Sequence, residues 1–196
     1  MRETEITIQV FDDLDTIFDE LNKLGFKLIE KYEHNDWYFS SLNTSSKVDY
    51  SFLLKNSFLV RQIITDKENV YLVYKDKEVD KQGNVLSEEK VNVKLSSLED
   101  ALKIFNKANI KCWCNIKQPS YVFKKGDVEF IVQAVQGLSN FIEYEENKSM
   151  ANMNAKQKMD YMYSQIKNLN LNLGSDLSCK KVYMKYLNDI SNEKTT

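Results

Sequence analysis

Charged or polar side chains alternate with apolar ones along the predicted strands of this chain, and the pattern is clearest at its start. Residues two positions apart in a strand share one face. One face of the first predicted strand therefore carries Glu3, Glu5, Thr7 and Gln9, and the other carries Thr4, Ile6, Ile8 and Val10. Far downstream, Glu143 and Glu145 repeat the acidic arrangement, with Ile142 and Tyr144 on the opposite face.

These acidic pairs have two interpretations. Carboxylates spaced about 7 Å apart along a strand repel each other when they are shut away from water. A divalent cation removes that conflict, because hard metals prefer carboxylate oxygens. An ordinary sheet with one solvated face shows the same alternation without any metal. The pattern alone favours the solvated face and leaves the metal site open.

Composition limits the classes to which the protein can belong. A length of 196 residues suits one domain with a good core, or a domain plus an appendage. The formal net charge of −2, from 29 acidic and 27 basic residues, argues against a dedicated nucleic-acid binder. No stretch resembles a membrane span or a signal peptide, so we expect a cytoplasmic protein without a membrane partner. A single histidine, His34, argues against Ser-His-Asp or Cys-His chemistry, and its polar run Glu33–Asp36 predicts a turn.

Arg61 stands out because the chain has only one other arginine, Arg2. It lies within the apolar segment Phe58–Ile64, which reads as a strand. An arginine flanked by branched apolar residues usually needs an anionic partner. The sequence therefore predicts that Arg61 faces an anion.

The predicted elements give an α+β chain in which most strands precede a helical tail. Strands are predicted near 2–10, 26–33, 36–40, 49–54, 58–65, 69–77, 86–95, 110–118, 120–125, 128–135 and 139–146. Helices are predicted near 14–24, 98–108, 151–169 and 177–190. About eight antiparallel strands with two inserted helices form a sandwich or a barrel. The repeated alternation of charge favours a barrel with a polar interior, although polar faces turned outward are the more usual arrangement.

Several segments carry a resemblance when they are taken in order. The opening Glu3-Thr-Glu5-Ile-Thr7 is similar to a Glu-x-Glu-x-Lys motif, and Phe58-Leu-Val-Arg61 is similar to Leu-Arg-Ile-Arg. The stretch from Val132 to Glu145 is similar to Leu-Asp-x-Val-x-Gly-Leu-Gly-x-Phe-x-Glu-x-Glu. Together they resemble the CYTH superfamily over nearly the whole chain. That superfamily comprises class IV adenylyl cyclases, thiamine triphosphatases and inorganic triphosphatases, also called triphosphate tunnel metalloenzymes.

The resemblance implies one CYTH-like domain over residues 1–196. Residues 1–147 would form an eight-stranded antiparallel β-barrel, or tunnel, with peripheral helices, and 148–192 a helical C-terminal segment. Basic side chains in the tunnel would bind a triphosphate; the candidates are Arg61, Lys75, Lys77, Lys90, Lys117 and Lys124, of which Arg61 and Lys75 would also serve catalysis. Carboxylates would hold Mg²⁺ or Mn²⁺; the candidates are Glu3, Glu5, Glu143 and Glu145, with Glu129 as an addition.

The implied ligand is a small molecule such as ATP, thiamine triphosphate or tripolyphosphate, with no nucleic acid involved. A homodimer is compatible with the resemblance, and the sequence does not fix the oligomeric state. Four positions depart from the family pattern by losing a charge: Thr7, Leu59, Gln133 and Asn92.

These departures leave three functions open. The first is a metal-dependent phosphohydrolase or class IV adenylate cyclase with a trimmed site. The second is a degenerate CYTH domain that binds a polyphosphate or nucleotide without turnover. The third, an oligomerising structural domain without a ligand, is disfavoured by the carboxylate pairs. We favour the first, and no motif identifies the organic part of the substrate.

Overall fold

The computed structural model describes residues 3–40, 53, 57–79, 85–177 and 179–193. Within these residues, eight antiparallel strands form one sheet, which confirms the predicted α+β class. The strands are β1 (Glu5–Val10), β2 (Lys27–Ser40), β3 (Ser57–Ile64), β4 (Glu68–Val79), β5 (Val85–Leu95), β6 (Lys111–Lys125), β7 (Val128–Ala134) and β8 (Asn140–Glu145). Their order across the sheet is β1-β8-β7-β6-β2-β3-β4-β5.

The sheet curls until its two edge strands meet. Glu3, just before β1, forms an antiparallel bridge with Glu88 of β5. The backbone N–H of each residue donates to the carbonyl oxygen of the other, and both distances are 2.9 Å. Because the curled sheet comes round to meet itself, one of its faces encloses an interior.

Helices cover the outer face of the sheet and so decide which side of each strand turns inward. Helix α1 (Leu14–Lys23) begins at Asp13, whose Oδ1 accepts a hydrogen bond from the N–H of Thr16 at 2.8 Å. Its buried Ile17 and Leu21 pack in one cluster with the apolar row of β1. Helix α2 (Leu98–Lys107) packs in the same way over β3 and β2. Since the helices bury the apolar faces outside, the polar rows line the interior.

The C-terminal segment contributes to both sides of the sheet. Helix α3 (Ala155–Lys167) adds Met162 and Ile166 to the outer cluster. Helix α4 (Lys181–Glu193) instead buries Val182 and Tyr186 against Trp113 and other side chains that project from the inner face. This helix therefore covers one end of the interior.

Four predicted strands were divided wrongly. The segments 26–33 and 36–40 form the single strand β2, so His34 lies in a strand and not in a turn. Its polar neighbours read as a turn because inward and outward positions of β2 are both polar here. Likewise 110–118 and 120–125 form β6, which runs through Pro119. The β6–β7 ladder begins only at Ser120, so it loses no hydrogen bond to the proline.

The remaining differences are at element ends. The first of the two C-terminal helices is shorter at both ends than the predicted 151–169, and the second is displaced by three to four residues from the predicted 177–190. The predicted strand 49–54 lies outside the described residues, apart from position 53. Among the helices that the structure describes, none combines the length and the apolar character needed to cross a membrane.

Candidate functional site

A cavity of about 410 Å³ occupies the interior of the curled sheet. Its volume lies within the range of small-molecule sites. Inward-facing residues of all eight strands and the segment at the start of α4 line it, and many of them are charged. The charged residues are Glu5, Glu30, Asp36, Arg61, Lys75, Lys77, Lys90, Glu143, Glu145, Lys180 and Lys181. Much of the polar rows predicted from the sequence thus faces an enclosed space and not bulk solvent.

Arg61 is held by Asp36, its direct cross-strand partner. The Nε of Arg61 donates to Oδ1 of Asp36 at 2.9 Å, and Nη2 donates to Oδ2 at 2.7 Å. Burial acts to raise the pKa of Asp36, but the charge and hydrogen bonds of Arg61 outweigh it and hold that pKa below its ordinary value. Both partners therefore stay charged, and the guanidinium is fixed in orientation.

Lys75 and Lys77 share one buried carboxylate on the neighbouring strand. The Nζ of Lys75 donates to Oε1 of Glu88 at 2.9 Å, and the Nζ of Lys77 donates to Oε2 at 2.5 Å. Burial opposes the charge of Glu88, yet Lys75 and Lys77 bring its pKa well below the ordinary value. Burial, together with the nearby charge of Lys75, lowers the pKa of Lys77. Two ammonium groups on one carboxylate leave positive charge available for an anion.

Lys90 is the centre of the acidic side of the cavity. Its Nζ lies 2.9 Å from Oε1 of Glu145 and 3.3 Å from Oε2 of Glu5. It also lies 3.3 Å from Oε1 of Glu88 and 3.8 Å from Oε2 of Glu3. Burial acts to lower the pKa of Lys90, but Glu5 and the other carboxylates raise it above its ordinary value.

Three carboxylates converge beside Lys90. Glu5 and Glu145 are direct cross-strand partners of β1 and β8, and Glu143 lies two residues earlier on the same face. One oxygen from each lies within 4.8 Å of the others. Burial acts to raise the pKa of Glu143, but the charge of Lys181 outweighs burial and holds that pKa below its ordinary value. The donor set is all oxygen, with no sulfur or imidazole, and so fits a hard cation such as Mg²⁺ or Mn²⁺.

Lys181, the first residue of α4, reaches the same carboxylates from the C-terminal segment. Its Nζ donates to Oε2 of Glu143 at 2.9 Å and also to Oε1 of Gln133. The tail is fixed to β1 at Thr7, whose N–H donates to the carbonyl of Leu177 at 3.2 Å. The N–H of Cys179 donates back to the carbonyl of Thr7 at 2.9 Å. A lysine from the tail thus supplies a positive charge close to where Thr7 lacks one.

Two predicted phosphate-binding lysines lie outside this arrangement. Gln118 faces the cavity, so Lys117, the preceding residue of β6, faces outward into a separate depression. The expectation that Lys117 lies in the tunnel is therefore wrong, because side chains alternate along a strand. Lys124 lies 3.3 Å from Glu129 in another surface depression, which shares Glu145 with the cavity.

Glu3 and Glu129 also stay apart from the three converging carboxylates. The side chain of Glu3 is half exposed and approaches Lys90 at 3.8 Å. Its position before β1 places it at the bridge that joins the sheet edges, outside the cluster. Of the predicted metal ligands, Glu5, Glu143 and Glu145 form a compact group of carboxylates. Glu3 and Glu129 do not belong to this group.

Several residues in or beside the cavity were not predicted from the sequence, among them His34, Asp36, Gln118 and Lys181 in its lining and Glu88 behind Lys75. Glu88 alternates with Lys90, which is a signal that could have identified it. Asp36 also shares a face with Tyr38, but the predicted break in β2 concealed this. Lys181 follows no alternating pattern, and nothing in the sequence indicates that the tail enters the cavity.

The chain is similar to known proteins over almost its whole length. It is 31% identical over 186 residues to "Putative adenylate cyclase MJ0240" of Methanocaldococcus jannaschii, covering 94% of this chain and 98% of that one. A Pyrococcus horikoshii structure has a TM-score of 0.68 at 16% identity, covering 95% of this chain and 99% of that one. A Hippeastrum structure, described as a "putative adenylyl cyclase" with a dominant triphosphatase activity, has a TM-score of 0.56 at 11% identity and covers 91% and 92%.

No protein-family model matches the sequence. The archaeal relative, however, shows the family, because it is 31% identical and the match spans nearly all of both chains. The solved structures add the same fold at low identity. The sequence motifs and the charged interior of an eight-stranded antiparallel sheet agree with this assignment. The chain therefore belongs to the CYTH superfamily.

Proposed function

We propose that the protein is a metal-dependent enzyme that binds the triphosphate group of a small molecule in this cavity and cleaves it. The reaction is triphosphate hydrolysis or adenylyl cyclase chemistry. One observation carries the proposal: three converging carboxylates and six cationic residues line one enclosed space. The cations are Arg61, Lys75, Lys77, Lys90, Lys180 and Lys181.

A triphosphate carries about four negative charges, and its burial requires compensating charge. Arginine and lysine supply that charge through short, charge-assisted hydrogen bonds. The pair with Asp36 fixes the guanidinium of Arg61 in place, which suits a group that orients a phosphate. The lysines have flexible stems and can turn from a carboxylate to a phosphate oxygen. These features support the cavity as a site for a polyanion.

The acidic side of the cavity supports a metal for a related reason. Lys90 and Lys181 neutralise Glu5, Glu143 and Glu145 in the structure. If the two lysines turn to a phosphate, the three carboxylates lose their counter-charge and repel one another. Glu5, Glu143 and Glu145 would then hold Mg²⁺ or Mn²⁺. Such a cation supplies charge neutralisation on phosphate oxygens and acidifies an attacking water or hydroxyl.

The relatives support an enzyme. The archaeal relative is named "Putative adenylate cyclase MJ0240", and the Hippeastrum protein is described as a "putative adenylyl cyclase" with a dominant triphosphatase activity. A second candidate, binding without turnover, is favoured by one observation at Gln133. The family pattern has an aspartate there, whereas this chain has an amide that accepts a hydrogen bond from Lys181.

A substrate panel tests the proposal. The full chain is incubated with tripolyphosphate, thiamine triphosphate or ATP and with Mg²⁺ or Mn²⁺, and phosphate, pyrophosphate and cyclic nucleotide are measured. We expect metal-dependent product from at least one substrate. Arg61→Ala and Glu143→Gln should each reduce the rate by about 100-fold or more. Glu99→Gln, an exposed carboxylate on α2, is the matched control and should keep the wild-type rate.

The outcomes separate the two candidates. Absence of product from all three substrates, combined with thermal stabilisation by tripolyphosphate, would reject the enzyme and favour the binding domain. Absence of both product and stabilisation would reject both. An Arg61→Ala variant with unchanged rate and affinity would place Arg61 outside the site.

A further inference from the structure

Glu88 is buried behind the basic side of the cavity and is not part of its lining. Its Oε1 lies 2.9 Å from the Nζ of Lys75 and 3.3 Å from the Nζ of Lys90. Its Oε2 lies 2.5 Å from the Nζ of Lys77. All three lysines line the cavity. A single carboxylate that a ligand does not reach therefore contacts three ammonium groups that a ligand does reach.

The pairing of β4 with β5 explains why these lysines need a shared anion. Lys75 and Lys90 are direct cross-strand partners, and Lys77 lies two residues beyond Lys75 on the same face. Like charges directly opposite each other destabilise an antiparallel pair, and burial adds the cost of removing each ion from water. Glu88 is the direct cross-strand partner of Lys77. It therefore places a negative charge inside the group of ammonium ions.

The other carboxylates around the cavity do not take this place. Those that the structure describes form their ion pairs with other cations, namely Arg61, Lys90 and Lys181. For Lys75 and Lys77, Glu88 is the acid within ion-pair distance among the described residues. The arrangement of these two ammonium groups thus depends on one side chain.

The backbone of Glu88 is itself fixed in place. Its N–H and its carbonyl oxygen both bond to Glu3 where the two edges of the sheet meet, each at 2.9 Å. An ammonium group has three N–H donors. The bond to Glu88 uses one donor of Lys75 and one of Lys77, which leaves two on each for phosphate oxygens. Glu88 can therefore hold both lysines while they bind an anion.

Glu88 also helps to keep Lys77 charged. Burial and the charge of Lys75 lower the pKa of Lys77, whereas Glu88 and Glu5 act to raise it. The pKa of Lys77 is below its ordinary value even with Glu88 in place. Loss of the carboxylate would lower that pKa further. Lys77 would then become a neutral amine at a lower pH and would bind phosphate less well.

We propose that Glu88 is a positioning residue of the phosphate-binding side, which sets where Lys75, Lys77 and Lys90 present their ammonium groups without contacting the ligand. The inference rests on the proposed function, because it takes these lysines to bind the phosphates. Its consequence is opposite to that of simple electrostatics. Removal of a negative charge beside an anion site would ordinarily tighten anion binding, whereas removal of this one should weaken it.

Two variants of the full chain test the inference. Glu88→Gln keeps the size of the side chain and removes its charge, and Glu88→Asp keeps the charge on a side chain shorter by one methylene. Affinity for tripolyphosphate is measured by calorimetry in EDTA, which prevents metal-dependent turnover. We expect a loss of about tenfold in Glu88→Gln and of about threefold in Glu88→Asp. Glu99→Gln, which loses a lysine partner on α2 instead, is the matched control and should bind as wild type does.

The dependence on pH separates positioning from a loosened fold. The ratio of wild-type to Glu88→Gln affinity should rise between pH 7 and pH 9, because only the variant loses the proton of Lys77 in that range. A variant that is merely loosened gives a ratio that does not change with pH.

Each outcome decides the inference. If Glu88→Asp binds tripolyphosphate as tightly as wild type, if Glu88→Gln binds it equally or more tightly, or if the ratio is constant with pH, the positioning role is rejected and the triphosphate site stands. If wild-type protein binds no tripolyphosphate, the proposed function fails and the inference fails with it. If Glu88→Gln does not fold, the affinity of Glu88→Asp decides alone.

Discussion

Asp36 and Arg61 face each other across β2 and β3 and form a two-bond ion pair in the cavity, with N–O distances of 2.9 and 2.7 Å. Removal of one partner of a buried ion pair leaves the other charge uncompensated. Asp36→Asn should therefore lower the free energy of unfolding by about 3 kcal/mol, measured by urea denaturation. Saturating tripolyphosphate should recover part of the loss, because it gives Arg61 a new anion.

The control for this prediction is Glu33→Gln, whose carboxylate faces outward on the same strand. Its stability should match the wild type with and without tripolyphosphate. An Asp36→Asn protein that gains no more stability from tripolyphosphate than wild type does would separate Arg61 from the phosphate site.

Metal and triphosphate should bind cooperatively, because Lys90 and Lys181 neutralise the three carboxylates only while no phosphate draws them away. We expect Mg²⁺ to increase tripolyphosphate affinity by about tenfold, and tripolyphosphate to increase Mg²⁺ affinity by the same factor. Calorimetric titrations in both orders measure the two factors. In the Glu143→Gln variant, the factor by which each ligand increases the affinity for the other should fall towards one. Equal coupling in wild type and variant would count against a cation at Glu143.

Lys181 should contribute to ligand binding although it lies in the C-terminal helix. Its Nζ is 2.9 Å from Glu143 and opens onto the cavity. Lys181→Met should weaken tripolyphosphate binding by about tenfold. Lys185→Met is the matched control, because Lys185 lies one turn later and pairs with Asp189. The prediction is wrong if both variants bind tripolyphosphate equally well at similar melting temperature.

His34 makes stability depend on pH between about 4 and 6.5. Burial holds its pKa at about 4 in the folded chain, against an ordinary value of 6.5. Between these values the unfolded chain binds a proton that the folded chain does not. The free energy of unfolding should therefore fall as the pH drops through this window, by up to about 1.4 kcal/mol per pH unit.

Two measurements check this effect. Since the chain has a single histidine, its ring resonances can be followed by NMR without assignment, and the midpoint should lie near pH 4. In His34→Phe the pH dependence between 4 and 6.5 should flatten. Charged neighbours also shift the pKa of this ring: Asp36 and Glu143 raise it, whereas Arg61 and Lys181 lower it. A midpoint near 6.5 would mean that the ring is open to solvent.

Strand periodicity was sufficient to predict much of the interior. Side chains alternate between the two faces of a strand. This alternation places Glu5, Arg61 and Lys75 on the polar face of their strands, which is the face that lines the cavity. What periodicity could not decide was whether that face turns inward. The helices that cover the opposite face decide it, and their packing is a long-range property.

The residues that were missed depend on contacts that local patterns do not encode. His34 and Asp36 lie in a polar run that reads as a turn, and only pairing with β3 and β6 on both sides keeps it extended. Lys181 enters the cavity because the segment before it is hydrogen-bonded to Thr7, which lies near the other end of the sequence. The misplacement of Lys117 had a simpler cause, a one-residue error of register.

The pairing of β1 with both β8 and the segment before α4 also sets an order of events during translation. The first strand leaves the ribosome long before either of its neighbours has been synthesised. Glu5 then has neither Lys90 nor Glu145 beside it, and the cavity between the strands does not yet exist. A ligand can consequently stabilise the finished protein but cannot guide the nascent chain, whose early strands must remain unaggregated by themselves.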